Sequence, residues 1–193
     1  MSMATTTDRT LPAWSQRLIS ELEIADGRAE RVARALSRDQ LTWSPAPGAW
    51  SIGQCLDHLR IGNEIYLPAI SSALEGRRPS AVPEVLLSAI SRWFIHNYIG
   101  PSVGTRAKAP RKTRPAAAVD AAVLDAFLRT NQTARELVSR ASVYDVNRIR
   151  FKNPFVPLLR FTVGTGLEIV SQHESRHLLQ AEGVRQSPGF PGR

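Results

Sequence analysis

Two histidines, His173 and His177, stand four residues apart, and a third, His58, lies within Trp50-Ser51-Ile52-Gly53-Gln54-Cys55-Leu56-Asp57-His58-Leu59. The chain holds four histidines in all, so three at positions expected to face inward are informative. An imidazole in an apolar interior needs partners for both ring nitrogens, and a buried polar group left without one costs about 1–3 kcal/mol. Convergence of three imidazoles on one divalent cation removes that cost for all of them. A pair of hydrogen-bonded core or surface histidines satisfies the i,i+4 spacing as well. The stripes described below, together with His58, favour the metal.

His173-Glu174-Ser175-Arg176-His177 also matches H-E-x-x-H, the helix motif of zinc peptidases. The longer form of that motif needs Gly at 180 and His at 183, where this chain has Gln180 and Gly183. Arg176 further places a charge where such helices carry uncharged residues, and the peptidase reading fails. Gln180, one turn past His177, faces the same way and can orient a ligand or substrate. Asp57 and Glu174 adjoin histidines in sequence, but neighbouring helix positions point about 100° apart, which argues against direct ligation. Cys55 reads as a small buried core residue. His96 reads as an ordinary residue of a connector, and Trp14, Trp43 and Trp50 as core and cap residues.

The elements that must position these groups are helical. Leu11, Trp14, Leu18, Leu22, Ala25, Ala29, Val32 and Leu36 recur at spacings of three and four, which predicts an amphipathic helix with Thr10 as N-cap and Pro12 in its first turn. Ser44-Pro45-Ala46-Pro47-Gly48 breaks the pattern, and Ser51-x-x-Gln54 opens a second helix with a capping box. Its stripe runs from Ile52 to Leu74 with His58 on its border. Residues 76–116 form a long connector in which Val85, Leu86, Ile90, Trp93 and Phe94 predict a short helix docked on one flank. A third long helix carries Val119, Val123, Phe127, Ala134, Leu137 and Ala141. After an irregular stretch around Asn153-Pro154, a last helix is expected near Thr165, where Thr165-x-x-Glu168 makes another capping box. Its stripe holds Val170, His173, His177, Gln180 and Val184.

Four long helices with few strand signals predict an all-α four-helix bundle over residues 11–184, preceded by a disordered N-terminus (1–10) and followed by a flexible tail (185–193). The connector is long enough to run the length of the bundle, so simple up-down-up-down order is not required. With 193 residues, 42% of them hydrophobic and 22% charged, the chain suits one soluble domain. No run is long and apolar enough to span a membrane, no hydrophobic leader opens the chain, and its lone Cys55 has no partner for a disulfide. A cytoplasmic protein is the expectation. The net charge of +8 invites a nucleic-acid reading. Five of those charges, Arg106, Lys108, Arg111, Lys112 and Arg114, lie in one loop, and without them the balance is an ordinary +3. Such a loop attracts anionic small molecules as readily as nucleic acid, and a nucleic-acid partner is not expected.

The run from Trp43 to Leu59, with His173-x-x-x-His177 and Gln180 on the last helix, resembles the DinB/YfiT-like superfamily over roughly residues 11–184. The resemblance implies a four-helix bundle carrying a divalent metal on His58, His173 and His177. It also implies thiol-dependent S-transfer to a small electrophile, with a low-molecular-weight thiol as cosubstrate. Zinc or nickel suits imidazole ligands, and metal affinity is expected to fall below about pH 6 as protons compete. Three neutral ligands leave the cation charged and open, as in catalytic sites. The chain offers no general base of its own, which favours thiol transfer over demanding hydrolysis. The alternative is a non-catalytic metal-binding stress protein, or a basic interaction module using the 106–114 loop. A small-molecule substrate is the expected partner, and a homodimer is left open.

Overall fold

The structure is a computed structural model that describes residues 11–102, 109–156 and 158–192; the expectations for residues 1–10, Arg106 and Lys108 lie outside the described residues. Four long helices dominate: α1 (Ala13–Ala33), α3 (Ile52–Ala73), α5 (Val123–Ala141) and α6 (Val163–Gln186). Two short ones, α2 (Arg38–Thr42) and α4 (Ala89–Phe94), join them, and α4 runs on into a π-helical turn over Ile95–Ile99. Strands β1 (Arg150–Lys152) and β2 (Arg160–Thr162) pair antiparallel ahead of α6.

Amphipathic stripes account for the bundle. Leu18, Leu22, Ala25, Ala29 and Val32 are buried along α1, and Phe127, Ala134, Leu137, Val138 and Ala141 along α5. Around the bundle, α3 packs between α5 and α6, and α1 packs between the same two helices on the far side. Helices that follow one another in sequence, α1 then α3 and α5 then α6, therefore face each other across a diagonal. Two apolar clusters fill the core, one centred on Trp14, Ile70, Phe151 and Leu167, the other on Ile52, Leu56, Phe127 and Leu178. Each long helix also contributes to buried polar bonding. The Asn131 side chain donates to Asp26 at 2.7 Å and to the Leu22 carbonyl at 3.0 Å, and Asn63 donates to Glu174 at 2.9 Å.

Several boundaries differ from expectation. α1 starts at Ala13, with Pro12 rather than Thr10 in the N-cap position. The residue before a proline is driven out of the helical region, so Leu11 cannot belong to the first turn. α5 starts at Val123, because Asp120 accepts from the Ala122 amide at 2.7 Å and holds a turn ahead of it. The cap of α6 is Thr162, whose hydroxyl accepts from the Thr165 amide. Glu168, expected in a capping box, pairs instead with Arg17. The irregular stretch contains the strand pair, with Phe151 opposite Phe161 and both rings buried. The tail from 185 is anchored rather than flexible: α6 continues through Gln186, and Phe190 is buried edge-on against Trp43 at 5.5 Å. In the connector, Val85 and Phe94 pack on the bundle, whereas Leu86, Ile90 and Trp93 are exposed, the last two at 67% and 56%. A six-residue helix turns only one narrow face to its support, and here Phe94 and the buried Ser91 occupy it.

Close approach of α6 to its neighbours depends on Gly166. A methyl group there would sit 2.7 Å from the Phe151 ring and 2.9 Å from Ile70 Cδ1, inside van der Waals contact. Gly166→Ala is expected to lower stability by about 1–3 kcal/mol, the usual cost of overpacking. Gly183→Ala, with nothing within 4 Å of the added carbon, should be neutral or stabilising by up to about 1 kcal/mol. Urea midpoints at unchanged slope measure both.

Candidate metal centre

The capping box at the start of α3 is present as read. Ser51 Oγ accepts from the Gln54 amide, Gln54 Oε1 accepts from the Ser51 amide, and Ile52 is buried. That start sets the rotation of α3, and two turns on it places His58 at the seam with α6. The His58 Nδ1–H donates to the Thr113 carbonyl at 2.6 Å. A carbonyl can only accept, so the proton resides on Nδ1 and Nε2 keeps its lone pair. On α6, the His177 Nδ1–H donates to Gln180 Oε1 at 3.0 Å, which leaves the Nε2 of His177 free in the same way. His58 Nε2 and His173 Nε2 lie 3.0 Å apart, and one ligating nitrogen from each of the three rings falls within 4.8 Å of the others. Trp50 covers the cluster, its ring 4.8 Å from His58 and 5.6 Å from His177.

Thr113 is itself held in place by α3. Asp57 Oδ2 accepts from the Ala116 amide at 3.0 Å, Oδ1 accepts from Arg60 at 2.8 Å, and Gln54 donates to the Ala116 carbonyl. The first two turns of α3 thus clamp the end of the connector, where Arg111–Thr113 form a single 3₁₀ turn. Both Asp57 oxygens are thus engaged away from the histidines, and Asp57 positions the carbonyl that orients His58.

Electrostatics keep all three rings neutral. Burial lowers the pKa of His58, against the pull of the Thr113 hydrogen bond. His177 is lowered to about 3, first by burial and then by the positive charge of its neighbours. His173 is held well below its ordinary value for the same reasons. Burial also pushes the Cys55 thiol up to about 12, in keeping with an inert core residue. Glu174, fully buried, is turned away from the triad onto Asn63, and burial raises its carboxyl to about 8.

The triad lies in the wall of an open cavity of about 1320 Å³ lined by α3, α6, the connector and the β1–β2 turn. Gln180 lines it, as do Arg176 and Arg114; among the described residues no aspartate or glutamate does. His96 stays outside. Sequence reasoning missed Trp50, read as a cap, and Thr113, which acts through its backbone and so carries no side-chain signal. The spacing of Trp50 from His58, eight residues, was the available hint for the former.

Residues 21–181 match the DinB superfamily. No curated protein matches the chain. A solved structure described as "YfiT from Bacillus subtilis is a probable metal-dependent hydrolase with an unusual four-helix bundle topology" shares the fold, with a TM-score of 0.58 over 96% of this chain and 94% of that one, at 13% identity.

The titrations give opposite limbs of stability. Unfolded histidines take up protons below about pH 6.5 while the folded triad does not, so stability is held above that pH and lost as pH falls toward about 3. Glu174 has the reverse sign: its contribution is complete below about pH 4.5 and is lost as pH rises through about 8. Glu174→Gln should therefore be more stable than the parent at about pH 8.5, by a margin that shrinks toward pH 4.5. Urea unfolding followed by tryptophan fluorescence checks both limbs.

Proposed function

The chain belongs to the DinB superfamily, and from that premise we propose that it is a metal-dependent enzyme in which His58, His173 and His177 hold a divalent cation. One observation carries this: three neutral imidazoles bring ligating nitrogens within 4.8 Å of one another in the wall of a cavity that no carboxylate lines among the described residues. The donor set fits such an ion. Two of the rings already commit their Nδ1–H groups outward, to a carbonyl and to an amide oxygen, the arrangement that fixes tautomer and orientation in ligating histidines. Imidazole suits zinc or nickel, and three neutral ligands leave the ion a net charge and an open position.

A bound cation would supply Lewis acidity, favouring the deprotonated form of a thiol or water that reaches it. The surrounding residues bind, orient and exclude water. Thr113 and Gln180 hold two rings in register, and Trp50 shields them from solvent. Since no acidic side chain among the described residues lines the cavity to take a proton, a nucleophile that ionises easily is favoured. A thiol, with an ordinary pKa of about 8.5, meets that need better than water at about 15.7. We therefore read the activity as transfer of a low-molecular-weight thiol to a small electrophile, the sulfur bonding to carbon as the leaving group departs with its electron pair. The Bacillus subtilis protein of the same fold, described as a probable metal-dependent hydrolase, supports hydrolysis as the second reading.

The test is a paired assay on zinc-loaded and nickel-loaded protein. Glutathione, mycothiol or bacillithiol is offered with 1-chloro-2,4-dinitrobenzene, and p-nitrophenyl acetate is offered without thiol. Thiol-dependent turnover alone supports transfer; ester cleavage alone supports hydrolysis. His58→Ala should abolish zinc binding and turnover with the helical circular dichroism retained. Gln180→Ala should weaken zinc binding about tenfold. Because burial keeps the rings unprotonated, zinc affinity in calorimetry should persist below the pH of about 6 expected for free histidine.

A further inference from the structure

The cavity has two ends of different chemistry. Around the triad it is polar and positively charged, with Arg176 and Arg114 in its lining. Two turns along α3 from His58, roughly 12 Å, its wall is made by Tyr66, and there the lining becomes Phe94, Phe155, Leu159, Ile169 and Val170. These rings are ordered by one another: Phe155 stacks on Tyr66 with planes 4° apart, and Phe94 packs against Phe161 at 5.1 Å.

Arg176 is the residue of this cavity that neither the fold nor the triad accounts for. It lies one position before His177 on α6, half-buried, and one of its amino groups donates to the Tyr98 carbonyl at 2.7 Å. That bond ties the guanidinium to the connector and fixes its direction. No carboxylate pairs with it among the described residues. A guanidinium presents five donors in a planar fork, which one carbonyl cannot satisfy. Its natural complement is an oxyanion gripped by two parallel hydrogen bonds.

We infer that the cavity takes an amphipathic carboxylate, its head held by Arg176 beside the histidines and its aromatic or branched apolar body lying among Tyr66, Phe94 and Phe155. The inference rests on reading this cavity as a substrate site and names the class of electrophile that site accepts. The apolar end excludes highly polar molecules, and the acid-free polar end removes the repulsion that would otherwise oppose an anion. Arg114, exposed at the connector, adds to the attraction from solution.

The probe pair is 4-phenylbutyrate and 4-phenyl-1-butanol, the same body with and without the charge. Binding to the full chain is measured by calorimetry after removal of metal with a chelator, so that no cation contributes to carboxylate binding. The acid should bind at least tenfold more tightly than the alcohol. Arg176→Gln, which keeps a donor for Tyr98 and removes the charge, should erase that preference and leave the alcohol's affinity unchanged. Arg176→Lys should retain part of it. Phe155→Ala should weaken both probes by a similar factor and keep their ratio. Equal affinity of the parent for acid and alcohol, no binding of either, or a preference that survives Arg176→Gln overturns the inference. The parent comparison decides even if the variants fail to fold. A zinc titration of the same preparation separates the two readings: zinc binding without carboxylate preference sinks this inference alone, and the reverse sinks the metal site alone.

Discussion

Three imidazoles, His58 and His177 buried and His173 half-buried, lie within 4.8 Å of one another, and the architecture around them follows from the need to keep all three neutral. A second proton on any one would be stripped of water and would repel its neighbours, so the rings stay neutral. Each neutral ring still has an N–H to place. Thr113 and Gln180 take two of them, each bond averting a cost of about 1–3 kcal/mol for an orphaned buried donor. The same constraint explains the absence of carboxylates from the described cavity wall. An aspartate beside the triad would favour imidazolium and tie up the nitrogens as donors. The acidic residues nearest in sequence, Asp57 and Glu174, are turned elsewhere, to the connector and to Asn63.

Helix order in the bundle makes this convergence available. Because α1 and α3, and α5 and α6, lie across the diagonals of the bundle, α3 and α6 are neighbours along their length, and one face of each meets at a seam. Gly166 lets α6 settle against Ile70 and Phe151, which fixes the height of α6 against α3 and so the level at which His173 and His177 meet His58. On its other face α6 takes part in the buried polar bonding, with Glu174 against Asn63. A single residue step, about 100° around the helix, separates a ring that faces the cavity from a carboxyl that faces the core.

The connector completes the site and is more than a tether between α3 and α5. One part of it caps the triad through Thr113; another part, α4 and the π-helical turn, walls the cavity with aromatic rings and holds Arg176 through the Tyr98 carbonyl. Its exposed Ile90 and Trp93 show that only a narrow face is docked. The clamp from Asp57 and Gln54 explains why a proline-rich, basic segment lies so close to a buried cluster: its backbone supplies the bonds, and its charged side chains Arg111, Lys112 and Arg114 stay in solvent.

Local spacing alone decided a good part of this protein. The 3.6-residue period places His173 and His177 on one face of one helix, and Ser51 with Gln54 sets the start of α3 and hence the direction of His58. Apolar stripes of period three and four specify four long helices whatever lies beyond them. Other features depend on which surfaces meet, and local spacing carries no record of that. Thr162 rather than Thr165 caps α6 because the strand pair delivers the chain there, and Phe190 is buried because Trp43 happens to lie beneath it. Thr113 orients His58 through a backbone carbonyl, a group that every residue carries and that therefore leaves no mark in the sequence. Trp50 becomes a wall of the site, and Arg176 a cation in a cavity with no carboxylate partner among the described residues, only once α3, α6 and the connector are brought together. Burial is a property of that assembly, and it is burial that turns three ordinary histidines into a neutral cluster.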